Sequence, residues 1–248
     1  MRSILAIVQV VLLAGASCVS VSAQLSVYLA GDSTAANKSA DKRPETGWGE
    51  MLQRHFDSSK VRIDNRALNG RSTRSFIVEG KWTALMNSVK RGDFVFIQFG
   101  HNDQKKENVD RYAGPDEFKK NLIKFVEEVR AKGANPVLMT PVVRRRFDKD
   151  GKFYDTHGDY PAYARTVAHE YEVPLIDMQR KSEAVVVKYG VEGSKKLFLQ
   201  LTPGESANYP NGVEDNTHFS PLGAEEMAKL AVEGIKETKI KLSKYLKK

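Results

Sequence analysis

Asp215 and His218 stand three residues apart, just ahead of a Ser220-Pro221 pair that reads as the start of a helix. In a turn, that spacing lets the carboxylate reach one ring nitrogen of the histidine and leaves the other nitrogen free. A free imidazole nitrogen can take the proton of a serine hydroxyl, which becomes a useful nucleophile only when a base removes that proton and a third group orients the base. Ser33, in Gly31-Asp32-Ser33-Thr34, is the candidate serine. Acyl transfer also needs preorganised donors for the oxyanion of its tetrahedral intermediate. The Ser33 N–H, the Gly70 N–H and the Asn102 side-chain amide are candidates, because glycine permits close backbone approach and asparagine is a neutral donor. Each piece alone has an ordinary reading: a turn serine, a turn glycine, an Asn-Asp cap, a capped helix start. Their order along the chain carries the chemistry, provided the fold places each at the same edge.

The elements that would do this are visible as short apolar runs alternating with amphipathic stretches. Leu25–Ala30, Val61–Ile63, Phe94–Phe99, Val137–Thr140 and Val173–Ile176 have the near-continuous apolar character of parallel strands covered on both faces. Asp116 reads as an N-cap for a helix whose buried face is Phe118, Leu122, Phe125, Val126 and Val129, ending at Gly133. A second helix is expected from Ser220-Pro221 to about Lys236. This alternation predicts an α/β fold of three layers, α/β/α, around a central parallel sheet, with active groups on loops at the carboxyl ends of the strands. All four polar blocks lie at or near such ends. No repeat or low-complexity linker interrupts the chain, so residues 24–238 are expected to be one domain and 239–248 a frayed basic tail.

The formal net charge of +8 over 248 residues favours a polyanionic partner: nucleic acid, anionic membrane or acidic polysaccharide. The N-terminus narrows that choice. Arg2 precedes an apolar stretch from Ile4 to Ala16, too short to span a bilayer, and Val21-Ser22-Ala23 supplies small residues for signal-peptidase cleavage. Residues 1–23 therefore read as a signal peptide and the protein as secreted or periplasmic. In the alternative, Gly15-Ala16-Ser17-Cys18 resembles a lipoprotein box, and Cys18 carries a lipid that anchors the protein to the outer membrane. Both routes leave the cytoplasm and disfavour nucleic acid. With Cys18 the single cysteine, an intrachain disulfide and a multi-cysteine zinc site are excluded. No cofactor or metal is implied: Asp148-Lys149-Asp150-Gly151 lacks the later ligands of a calcium loop, and His55, His157 and His169 lack metal-ligand spacing and suit surface or helix-face positions.

Gly31-Asp32-Ser33, Gly70, Gly100-x-Asn102-Asp103 and Asp215-x-x-His218 resemble the four blocks of the SGNH, or GDSL-type, hydrolase superfamily. Within it, Gly47-Trp48-Gly49-Glu50, Gly70-Arg71-Ser72-x-Arg74-Ser75-Phe76, Phe99-Gly100-His101-Asn102-Asp103 and Thr217-His218-x-Ser220-Pro221-x-Gly223-Ala224 are similar to rhamnogalacturonan acetylesterases. The resemblance implies a flavodoxin-like fold and a deacetylase acting on an acetylated acidic polysaccharide, the rhamnogalacturonan of pectin. It implies Ser33 as nucleophile, Asp215 and His218 as its partners, and Ser33, Gly70 and Asn102 as the oxyanion hole. Arg71, Arg74 and His101 are candidate substrate contacts; the two arginines could equally pair with internal carboxylates, and His101 could merely pack. Arg144-Arg145-Arg146 reads as a solvated face, with substrate contact the alternative, and Trp48 and Trp82 read as core. The fungal members' disulfides are absent here. The stretches Arg144–Asp159 and Thr202–Asp215 match no motif, which leaves fine specificity open. The rival functions are an esterase acting on another acetylated polysaccharide such as xylan, on a lipid or on a thioester, and a non-catalytic polysaccharide-binding relative.

Overall fold

The computed structural model describes residues 24–247; the expected signal peptide and Cys18 lie outside them. Five strands, β1 (Leu25–Gly31), β2 (Val61–Asn65), β3 (Phe94–Gln98), β4 (Asn135–Met139) and β5 (Leu175–Ile176), form a parallel sheet in the order β2-β1-β3-β4-β5. This is the flavodoxin-like order, in which the strand sequence reverses between β1 and β3. The apolar runs of the central strands are continuous because both faces of the sheet are covered there. Val27, Leu29, Phe94, Phe96, Val137 and Met139 supply one core, whereas Tyr28, Ala30, Val95, Ile97 and Leu138 supply the other. On the first face lie α1 (Trp48–Met51), α6 (Met178–Gly193) and α7 (Pro221–Glu237). The second face carries α2 (Thr73–Val78), α3 (Lys81–Met86), α4 (Pro115–Ala131) and α5 (Tyr160–Glu170). The expected three layers are present.

Helix α4 buries the five expected residues, but its N-cap is Gly114 with Pro115 in the first turn, two residues earlier than an Asp116 cap. Pro115 has the backbone angle of a first helical residue and needs no donor there, so it sets the start. Ser220 does cap α7, accepting the Gly223 N–H at 3.1 Å. Gly223 is fixed by space: a Cβ there would fall 1.7 Å from the Leu197 carbonyl oxygen. Trp48 and Trp82 are core residues, their indole N–H groups donating to Gln98 and Glu128.

Two features depart from expectation. A separate antiparallel pair, β6 (Phe198–Leu201) and β7 (Val213–Phe219), contains Asp215 and His218, which the sequence places in a turn. The pairing jumps from Phe198↔Phe219 to Gln200↔Glu214, so residues 215–218 bulge out of the ladder and make the tight turn inside a strand. The tail is also packed rather than frayed. Leu242 is fully buried, Leu246 bridges to Phe56, and the Lys247 N–H donates to the His55 carbonyl at 2.9 Å. Its interleaved Ile240, Leu242 and Leu246 cover the first core, and that apolar burial outweighs the dispersed lysine charge. Among the described residues, no helix is long and apolar enough to cross a membrane.

Candidate active site

The loops after β1, β2, β3 and β4 and the β7 bulge converge beside the β1/β3 reversal, where an open α/β sheet forms its crevice. Ser33 Oγ lies 2.9 Å from His218 Nε2, and His218 Nδ1 lies 2.7 Å from Asp215 Oδ2. Asp215 Oδ1 accepts the backbone N–H groups of Thr217 at 2.7 Å and His218 at 3.0 Å, which closes the bulge into a turn and fixes the carboxylate under the ring. Partial burial works against the charge on Asp215, but the hydrogen bond and positive potential of His218 and the two N–H donors hold its carboxyl below the ordinary range. Gln200 donates to the Asp215 carbonyl at 2.9 Å and Arg145 to Asn216 Oδ1 at 2.9 Å, so the bulge is braced from both sides.

The three candidate donors face the same space. No acceptor among the described residues takes the Ser33 or Gly70 N–H. Asn102 spends one N–H on the Arg71 carbonyl at 3.0 Å and keeps the second. Gly70 has φ +73°, so the backbone angle calls for glycine, and a Cβ there would also crowd the Arg111 guanidinium at 3.1 Å.

Buried carboxylates build the loops. Asp32 turns the chain after β1 by accepting the Thr34 N–H at 2.9 Å and hydroxyl at 2.8 Å; burial raises its pKa. Asp103 accepts the Gly100 N–H at 3.0 Å and the Thr73 N–H and hydroxyl at 2.8 and 2.6 Å, tying the β3 loop to the start of α2. Burial pushes the Asp103 carboxyl up to about 7 against those three donors.

Sequence reasoning missed Lys38. Its buried ammonium donates to the Ser33 carbonyl at 2.5 Å and Asn69 Oδ1 at 2.8 Å, and pairs with Glu45 at 2.7 Å. It therefore clamps the β1 loop to the Gly70 loop. Nothing local marks it, since a lysine between asparagine and serine reads as surface.

The cavity, about 340 Å³, is lined by Ser33, Asn69, Gly70, His101, Asn102, Asp215, Thr217 and His218, with Glu45 and a ring of cations: Lys42, Lys105, Arg111 and Arg144. Arg71 and Arg74 are not among them. Arg71 pairs with Glu79 at 3.0 Å and Arg74 with Glu117 at 2.5 Å, so both take the internal-carboxylate alternative rather than the substrate contact. Arg144 corrects the expectation of a solvated triplet: it is largely buried and donates to the His101 carbonyl at 3.0 Å, and only Arg146 of the three is exposed. His157 is likewise no surface histidine. It is fully buried, with Nδ1 on Asp155 at 2.7 Å and Nε2 against His101 Nδ1 at 3.1 Å. Asp155 and His157 lie in the motif-free stretch 144–159, where only the alternating Asp-x-His spacing hinted at a pair.

Residues 29–225 match the model of the GDSL-like Lipase/Acylhydrolase family. The chain belongs to this family. As a GDSL-like hydrolase it is an esterase. It is 43% identical to rhamnogalacturonan acetylesterase RhgT of Bacillus subtilis over 222 residues, covering 90% of this chain and 94% of that protein. Among solved structures, protein YxiM of Bacillus subtilis superposes with a TM-score of 0.76 at 28% identity, over 89% of this chain and 58% of that one. An acetyl-xylooligosaccharide esterase of Geobacillus superposes with a TM-score of 0.62 at 18% identity, over 87% of this chain and 95% of that one; this likeness is one of fold. In this esterase the cations around Ser33 come from segments outside the four sequence blocks.

Proposed function

We propose that this esterase is an exported carbohydrate O-acetylesterase that removes acetyl groups from rhamnogalacturonan. The observation that carries the reading is the hydrogen-bonded chain Asp215–His218–Ser33, opening onto free amide donors in a cavity rimmed by cations. Ser33 Oγ attacks the acetyl carbonyl carbon while His218 Nε2 takes its proton, and Asp215 holds the tautomer and supports the imidazolium. The oxyanion receives the Ser33 and Gly70 N–H groups and the second Asn102 N–H. On collapse, His218 returns the proton to the leaving sugar oxygen. A water, activated by the same histidine, then releases acetate from the acetyl-serine.

The cations support an acidic polymer as substrate. Lys105, Arg111 and Arg144 have no carboxylate within ion-pair distance among the described residues, unlike Arg71 and Arg74. Burial, and then the charges of Arg144 and Arg111, lower the pKa of Lys105, so the rim holds surplus positive charge that a galacturonate carboxylate relieves. The 43% identity to a rhamnogalacturonan acetylesterase points the same way. Acetate release from acetylated rhamnogalacturonan, acetylated xylan and p-nitrophenyl acetate tests this. The expected result is a strong preference for the first polymer that Arg111→Gln weakens; equal rates on both polymers would overturn the substrate. Export through cleavage after Ala23 predicts a mature protein that begins at Gln24, and an acylated Cys18 at the N-terminus would replace it with the lipoprotein route.

A further inference from the structure

Behind the wall of the same cavity lies a second carboxylate–histidine chain, ending at His101, that the reaction above does not use. Asp155 Oδ1 lies 2.7 Å from His157 Nδ1, and Asp155 Oδ2 accepts the His157 backbone N–H at 3.2 Å. His157 Nε2 lies 3.1 Å from His101 Nδ1, with the rings edge to face at 79°. His101 is 2% exposed and lines the cavity with Ser33 and His218, yet its Nε2 is buried without a hydrogen-bond partner among the described residues.

Proton positions along this chain follow from its first member. A carboxylate only accepts, so His157 Nδ1 carries the hydrogen and its Nε2, in the neutral ring, is an acceptor. His101 Nδ1 must then donate to it, which leaves His101 Nε2 as a bare lone pair. Both rings are buried beside the Arg144 guanidinium, which donates to the His101 carbonyl, so neutral rings are favoured over a charged one. The surroundings give that lone pair its meaning. Lys42, Lys105, Arg111, Arg144 and the free amides give the wall its donors, and two of its acceptors, the Glu45 carboxylate and Asn69 Oδ1, are already engaged by Lys38. A neutral acceptor set among donors has no use for a carbonyl or a carboxylate; it selects an O–H. A buried acceptor left unpaired costs free energy that a bound hydroxyl recovers, which makes it discriminating as well as attractive.

We propose that His101 Nε2 accepts a hydrogen bond from a sugar hydroxyl neighbouring the acetyl ester, and that His157 and Asp155 are positioning residues that fix the tautomer able to do so. This rests on the carbohydrate reading of the site and adds to it a residue that separates acetylated sugars from acetyl esters lacking an adjacent hydroxyl. In the test, kcat/KM is measured for wild type, His101→Phe and His157→Phe on acetylated rhamnogalacturonan and on p-nitrophenyl acetate. The ratio of the two substrates should fall about 10- to 100-fold in both variants. A ratio unchanged in His101→Phe overturns the proposal while leaving the esterase reading intact. A wild type that cleaves p-nitrophenyl acetate but releases acetate from neither acetylated rhamnogalacturonan nor acetylated xylan overturns the carbohydrate reading and this proposal with it. The tautomer is read independently from the imidazole ¹⁵N shifts of the wild-type protein, which no folding defect can confound. Hydrogen on Nδ1 of His101 supports the assignment, and hydrogen on Nε2 overturns it.

Discussion

One carboxylate–histidine pair opens onto the cavity and a second lies behind His101 in its wall, and their differences in burial and terminus support the proposed division into a base and a fixed acceptor. Asp215–His218 and Asp155–His157 share a 2.7 Å contact to Nδ1. The first histidine is 27% exposed in its side chain and ends on a hydroxyl; the second is fully buried and ends on another imidazole. An imidazole that must gain and lose a proton in each turnover needs a solvated flank and a partner with a proton to give. A ring sealed in the interior cannot take up charge cheaply, so it keeps one tautomer and passes that direction to its neighbour. On the proposed reading, similar local wiring serves proton transfer in one case and recognition in the other.

The comparison is broken most severely at its reactive end. Ser33→Ala removes the proposed nucleophile and should lower kcat about 10⁶-fold while leaving the thermal unfolding midpoint unchanged, since among the described residues the hydroxyl bonds only to His218. Residual acetate release above a few per cent would exclude Ser33 as nucleophile. Asp215→Asn keeps an oxygen for the Thr217 and His218 N–H groups but favours the wrong tautomer, and kcat should fall about 10⁴-fold. Next is Asn102→Ala, with about 10²–10³ lost in kcat at nearly constant KM, because its donor acts on the transition state. Steady-state kinetics on p-nitrophenyl acetate suffice for all three. The matching change in the second pair, Asp155→Asn, should cost no more than roughly tenfold, and only on the carbohydrate. If Asp155→Asn and Asp215→Asn fell together, the division between base and acceptor would be lost.

How much of this could be read from the chain depends on which residues carry local signals. The central strands were legible because burial on both faces leaves an unbroken apolar run, as in Phe94–Gln98, whereas the edge strand Val61–Asn65 showed only Val61 and Ile63 about an exposed Arg62. Strand β7, Val213–Phe219, was not: it is polar and partly exposed, and its alternation is broken by the bulge that joins Asp215 to His218. The Ser33, Gly70, Asn102 and Asp215–His218 blocks were legible because each is a compact motif. Lys38, Arg111 and Arg144 act through partners far along the chain, such as Asn69, Gly70 and His101, and no local pattern announces a long-range contact. Arg71 and Arg74 show the converse, since adjacency to a motif in sequence put them near the site while Glu79 and Glu117 hold them away.

The smallest expected effect concerns stability against pH and bears on whether His101 is neutral. Burial lowers the pKa of His101 well below the ordinary histidine value, and the nearby His157, Arg144, His218 and Lys105 charges act in the same direction. The unfolded chain then binds the proton first, near pH 6.5, and stability falls as pH drops from there towards the folded pKa. Per histidine, the slope is about 1.4 kcal/mol per pH unit. His157 adds to it, because burial lowers its pKa even against Asp155. Asp32 and Asp103 work the other way: burial raises both, so the fold holds their protons where the unfolded chain has lost them, and stability rises as pH falls through that range. The wild-type profile is therefore a partial cancellation and says little alone. The difference between wild type and His101→Phe isolates one histidine. Urea denaturation at pH 7, 6 and 5 should show the variant gaining on wild type by about 1.4 kcal/mol per unit below pH 6.5. Parallel profiles would mean that His101 titrates freely in the fold, and a ring that charges there cannot present a lone pair to a sugar.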